Sequence, residues 1–135
     1  MLQHADIREL WDVIRPGLES IREDSKAEWR VEDVYASCVH GDSFLLWDHT
    51  RKNSFCIVKT VGIPFSRGNR FLVWIGFDPG PDSLMTYHDE LEEMARETGH
   101  QQMEIGTHRP GLVRLSKKYG YEEAYTVLVK DLESK

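Results

Sequence analysis

The hydrophobic positions of the chain keep helical spacing up to about Val39, then alternate or run together from Ser43 to Phe77, and beyond Ser83 the two habits take turns. In the first stretch Ile7, Leu10, Trp11, Ile14, Leu18 and Ile21 fall on one face of a helix that opens at Asp6. Asp6 is placed to cap its free amides, with Glu9 completing a capping box. Pro16-Gly17 predicts a kink or a split, because proline lacks the amide proton and crowds the preceding turn. A second helix is predicted over Val31–Val39, with Val34, Tyr35 and Cys38 inward and Gly41 as its stop.

Strands follow. Ser43–Trp47 reads as one, and the polar Asp48–Asn53 as a hairpin loop. Ser54–Val61 alternates, with Phe55, Ile57 and Val61 on one side and Cys56, Val58 and Thr60 on the other. Arg70–Phe77 is apolar on both faces, which predicts a central strand. After Asp78-Pro79-Gly80-Pro81 a helix is predicted with Asp82 or Ser83 as cap, Leu84, Tyr87, Leu91, Met94 and Ala95 as its buried stripe, and Gly99 as its end. Gln102–Gly106 is a short strand, Pro110 starts a further helix that ends at Tyr119-Gly120, and Glu123–Leu132 alternates as a last strand. The order is helix, helix, three strands, helix, strand, helix, strand. It predicts an α+β (mixed α/β) class, with a single central sheet and helices on both faces. No repeat or linker interrupts it, so residues 1–135 read as one domain.

Composition narrows the function classes. A chain of 135 residues with 40% hydrophobic and 30% charged residues is sized for one globular, soluble domain. Its apolar runs are strand-sized, far short of the ~18–20 residues of a spanning helix. The first residues lack a basic and then apolar leader pattern, so no secretion signal is expected and the expected location is cytoplasmic. The net charge of −6 speaks against dedicated nucleic-acid binding. Cys38 and Cys56 sit among apolar neighbours and read as free buried thiols. His88 and Glu92 have the spacing of metal ligands, but no third ligand accompanies them, and no metal is expected. Asp89, Glu90, Glu92, Glu93 and Glu97 give one helix an acidic outer face, while Arg109, Arg114, Lys117 and Lys118 make the next one basic.

The segment Leu112-Val113-Arg114-Leu115-Ser116-Lys117-Lys118-Tyr119-Gly120-Tyr121 resembles the fourth helix of the GNAT (Gcn5-related N-acetyltransferase) superfamily, in which Gly120-Tyr121 stands for a Gly-Phe pair. Arg109-Pro110-Gly111-Leu112-Val113-Arg114 is similar to small GNAT-like proteins of tailed phages, with Leu112 where those have Trp; Arg15-Pro16-Gly17-Leu18-Glu19 and Leu45-Leu46-Trp47 resemble the same group. The resemblance implies that Arg70–Phe77 and Gln102–Gly106 lie side by side as parallel strands splayed at one end, joined by a right-handed helical crossover. It also implies acetyl-CoA as cofactor, along Trp74, Ile75 and Phe77 and the helix start at Ser83, Leu84 and Met85.

The same resemblance exposes departures. The loop that would cradle the cofactor diphosphate, residues 78–85, has one Gly, two Pro and no Arg or Lys, and it carries Asp78 and Asp82. The central strand lacks the Glu that many relatives use as base, leaving Asp78 or Glu104 as weak substitutes. Where the family places a Tyr to protonate the leaving thiolate, four residues before Gly120, this chain has Ser116, whose hydroxyl is a far weaker acid. The sequence thus predicts a phage- or prophage-type GNAT-fold protein with a degenerate cofactor loop. Its expected role is non-catalytic, binding other phage or host proteins in the host cytoplasm or the virion. The alternative is an active N-acetyltransferase acting on an amine.

Overall fold

The structure is a computed structural model that describes residues 1–25, 27–51, 54–63, 66–77, 83–106 and 110–133; the side chains of residues 25, 83–86, 110 and 111 lie outside the description. Its elements run β1 (Gln3–Ala5), α1 (Ile7–Ser25), α2 (Val31–Val39), β2 (Phe44–Asp48), β3 (Ser54–Gly62), β4 (Asn69–Phe77), α3 (Ser83–Glu97), β5 (Gln102–Ile105) and α4 (Pro110–Lys117). One sheet holds the strands in the order β1-β2-β3-β4-β5. The first four pair antiparallel in turn, and β5 lies parallel to β4, as predicted for these two strands.

Alternation in the strands divides the core between the two faces. Leu45, Phe55, Ile57 and Ile75 point to one side, where Ile7, Ile14 and Leu18 of α1 and Val31 and Val34 of α2 cover them. Leu46, Cys56, Val58, Phe71 and Val73 point to the other, under Tyr87, Leu91 and Ala95 of α3. The sides predicted for Phe55 and Ile57 against Cys56 and Val58 are those observed. Both cysteines are free thiols, and burial raises them to about 11 for Cys38 and about 12 for Cys56, with Glu90 adding to the latter. Thiols held this high are not nucleophiles near neutral pH.

Three expectations are revised. Of the kink or split expected at Pro16 the split is absent, and α1 is one continuous helix. Gly17, one residue on, lies against the sheet, where an added Cβ would stand 2.9 Å from Phe55 and 3.2 Å from Phe77. That close approach, held by the stacked rings of Phe55 and Phe77 at 5.4 Å, explains why the helix persists through a poor pair of residues: tertiary packing outweighs propensity. The second correction is β1, which was not predicted. Gln-His-Ala has no hydrophobic period, and β1 forms only because β2 offers it an edge. The third is the last strand: residues 123–132 are not in the sheet. Tyr125, Val127, Leu128, Val129 and Leu132 are 60–90% exposed, and β5 is left as the sheet's edge.

Candidate functional site

The feature that separates β4 from the other strands is a β-bulge. Ile57 of β3 pairs with Ile75 and Val58 with Val73, so Trp74 has no partner across the β3 ladder. An extra residue in one strand reverses its side-chain parity beyond the bulge. Accordingly Phe71 and Val73 pack under α3, while Ile75 and Phe77 pack under α1 and α2. On its other side β4 pairs with β5 only from Arg70↔Gln102 to Val73↔Ile105. The backbone of Trp74–Phe77 therefore runs on past the end of β5 at Ile105.

Among the residues predicted for a cofactor, Trp74 sits in the bulge, half-buried, with the Lys59 ammonium 4.4 Å above its ring and Trp29 edge-on at 6.4 Å. Ile75 is buried toward α1 and α2, and Phe77 stacks on Phe55. Their side chains thus belong to the core, and what they offer a ligand is backbone. Ser83, Leu84 and Met85 form the first turn of α3, with side chains outside the description. Asp78 and the rest of residues 78–82 lie outside the described residues, as does Arg109.

Of the proton-transfer candidates, Glu104 is bound in an ion pair: Arg70 Nη1 donates to its Oε1 at 3.1 Å, while Arg70 Nε donates to Gln102 at 2.7 Å. Ser116 is 7% exposed and lines the cleft beside β5. Its Oγ has no hydrogen-bond partner among the described residues. Sequence reasoning missed the pairing of His88 with Tyr121. His88 of α3 is buried, shares a 2.9 Å hydrogen bond through Nε2 with the Tyr121 hydroxyl, and packs against the Tyr119 ring at 4.7 Å. Tyr121 Oη also reaches Met103 Sδ at 3.5 Å, and burial, with Glu92 nearby, raises the phenol to about 12. The i, i+4 pair His88 and Glu92 suggested ligands; instead His88 turns to Tyr121 and Glu92 to Arg96, and no group of three metal-ligating side chains converges among the described residues.

On the far side of α3, Asp48 is 3% exposed and remains a carboxylate. Thr50 Oγ1 donates to it at 2.6 Å, Tyr87 Oη at 2.8 Å and the Met1 amino group at 3.1 Å, and these bonds hold it well below the usual carboxylate range. The group is a buried fastening of α3 to β2, away from the β4–β5 pair.

Antiparallel strands feeding a bulged β4 that pairs with a shorter, parallel β5, with a helical crossover between them, decide the fold. It is the GNAT acetyltransferase fold. A solved structure described as a "probable acetyltransferase" superposes with a TM-score of 0.73 at 17% identity, over 97% of this chain and 99% of that one. An aminoglycoside acetyltransferase from an uncultured soil metagenomic sample, in complex with sisomicin, gives 0.69 at 8% identity over 98% and 95%. An acetyltransferase, so predicted, from Clostridium acetobutylicum with acetyl-CoA gives 0.68 at 11% over 98% and 96%. No family profile and no curated protein matches the chain in sequence. At these identities the GNAT likeness is one of backbone, and the chemistry of the site has to be argued from this chain's residues.

Proposed function

We propose that this GNAT-fold protein binds the acyl-pantetheine arm of acetyl-CoA along the β4 edge but has lost the groups that make acetyl transfer fast. The observation that carries the first half is the edge itself. Beyond Val73↔Ile105 the β4 backbone at Trp74–Phe77 is not paired with β5. A pantetheine arm is a run of amides that can pair with such an edge as a strand would. The fit is good at this end of the cofactor and poor at the other. Residues 78–85 bring no cation and two prolines to where a diphosphate would rest, and Asp78 and Asp82 bring carboxylates. Each close like-charge pair there costs roughly 1–4 kcal/mol at intermediate dielectric.

The second half rests on proton handling. Amine acetylation needs a base for the ammonium and an acid for the departing thiolate. Glu104 is paired to Arg70, and Ser116 offers an aliphatic hydroxyl. A binding role in the phage-type setting that the Arg109–Arg114 segment resembles follows from that loss, with a phage or host protein as partner. A second reading, an active N-acetyltransferase, draws on one observation: Tyr121, hydrogen-bonded to His88, lines the same cleft as Ser116 and could relay a proton.

Calorimetric titration with acetyl-CoA, alongside a thiol-release assay with a panel of amines, separates these. We expect weak saturable binding that tightens in the double variant Asp78→Asn, Asp82→Asn, and no multiple turnover. Absence of binding up to millimolar acetyl-CoA overturns the cofactor assignment. Sustained turnover overturns the loss of catalysis, and its disappearance in Tyr121→Phe would transfer the chemistry to the His88–Tyr121 pair.

A further inference from the structure

We infer that Lys59, Trp74 and Trp29 form a binding site for a small carboxylate ligand with an apolar body, on the sheet face that carries α1 and α2. The first observation is which part of that face the helices leave open. Val58, Phe71, Val73, Met103 and Ile105 pack toward α3. Alternation therefore turns Lys59, Leu72 and Glu104 to the opposite face, and the register sets these three side by side across β3, β4 and β5. On this face α1 and α2 bury Ile57 and Ile75. The neighbouring Lys59, Leu72 and Trp74 are left half-buried.

The second observation is charge. Lys59 is the one lysine among the described residues that is not exposed. Among those residues it makes no ion pair, and its ammonium rests 4.4 Å from the centroid of the Trp74 ring. The face of an aromatic ring replaces only part of the hydration that a half-buried ammonium gives up. No carboxylate supplies the rest, because Glu104, in the same row, is held by Arg70 at 3.1 Å. Lys59, Arg70 and Glu104 together keep one positive charge unbalanced, in a chain whose net charge is −6. The cleft beside β5 is the contrary case. There each Arg or Lys has its carboxylate: Arg70 with Glu104, Arg96 with Glu92 at 3.6 Å and Lys117 with Glu123 at 3.8 Å.

The third observation is shape. Trp29, in the connection between α1 and α2, stands edge-on to Trp74, with ring centroids 6.4 Å apart and planes at 73°. Two half-buried indoles at nearly a right angle make a corner, and the Lys59 ammonium lies on one of its walls. An apolar body packs against the rings while its anionic end meets the ammonium. A single ammonium, with the Arg70 guanidinium already engaged, matches one negative charge, which is a carboxylate; a phosphate dianion calls for more donors than the corner offers. A cationic ligand is repelled from the same point. Trp74 is also where the unpaired β4 edge begins, so a ligand held here lies beside the backbone proposed for the pantetheine arm. The corner itself does not rest on that reading, since none of its three residues is assigned to the cofactor through its side chain.

Titration of the full chain, followed by tryptophan fluorescence and by calorimetry without acetyl-CoA, tests the inference. The probe is phenylpropionate; phenethylamine carries the same body with the opposite charge, and inorganic phosphate is an anion without the body. We expect a saturable fluorescence change with phenylpropionate, at an affinity at least tenfold above either control. Lys59→Met should weaken it at least tenfold at unchanged Tm, and Lys59→Arg should restore it. Trp74→Phe should remove most of the fluorescence change. Binding of phenylpropionate no tighter than that of phenethylamine or phosphate overturns the inference, and this comparison needs no variant. So does undiminished binding in Lys59→Met. Because no acetyl-CoA is present, either failure leaves the cofactor reading to its own titration.

Discussion

The middle of the sheet and its β5 edge are made of similar residues and are finished differently. Strands β3 and β4 are paired from Phe55↔Phe77 to Gly62↔Asn69, and helices cover both faces of the pair. β5 is paired over four residues with one neighbour, and the apolar segment that follows α4 stands in solvent. The middle buries Leu45, Ile57, Ile14 and Leu18 to about 1% exposure or less, whereas the edge keeps a buried Ser116 hydroxyl with no partner. The contrast separates what holds the fold from what is left for a ligand or partner. A dense interior resists any added atom, while an open edge tolerates change until something binds to it.

The sharpest way to break the comparison is to wedge the closed side. Gly17→Val puts atoms where an added Cβ would already stand 2.9 Å from the Phe55 ring. Overpacking of this kind costs about 1–3 kcal/mol, and valine's gain in helix propensity over glycine offsets only a few tenths. Urea unfolding should show a lowered midpoint, by that free energy divided by the m-value. An unchanged midpoint would mean that α1 stands off the sheet.

A comparable effect is expected at Asp48, and it depends on pH. Its carboxyl is held below the usual range by Thr50, Tyr87 and the Met1 amino group, so the folded state favours the ionised form. The stability this contributes is complete above the unfolded value near ~4 and is lost as pH falls through the folded value. Asp48→Asn should therefore lower Tm at pH 7, by an amount equivalent to roughly 1–3 kcal/mol for poorly satisfied partners. It should also flatten the acid limb of the wild-type Tm profile below pH 4. Parallel profiles for the two proteins would show that the carboxylate charge is not what fastens α3 to β2.

The least effect is expected at the open edge. Ser116→Ala removes a buried hydroxyl that has no partner among the described residues, so stability should stay within about 0.5 kcal/mol or rise slightly. Any acetyl transfer should be unaffected. A hundredfold loss of activity at constant Tm would make Ser116 part of a working site.

What the sequence by itself determined is what local periodicity can encode. The α2 bounds, the two faces of β3, the parallel pairing of Arg70–Phe77 with the strand after the crossover, and the GNAT arrangement were all legible. The helix bounds and strand faces follow from spacing along the chain, the parallel pairing and the GNAT arrangement from the resemblance carried by the Leu112–Tyr121 segment, and the free thiols from their apolar neighbours. The candidate site was legible only as an address. Trp74–Phe77 was named, but the bulge that turns Ile75 and Phe77 to the opposite face and opens the backbone depends on how β4 registers against β3. The contact of His88 with Tyr121, 33 residues away, has no signal in the local spacing and exists only in the folded chain. β1 exists because β2 has an edge to offer, and residues 123–132 alternate as a strand would yet stay outside the sheet and exposed. A strand needs a neighbour, and its neighbour is chosen by the assembled sheet.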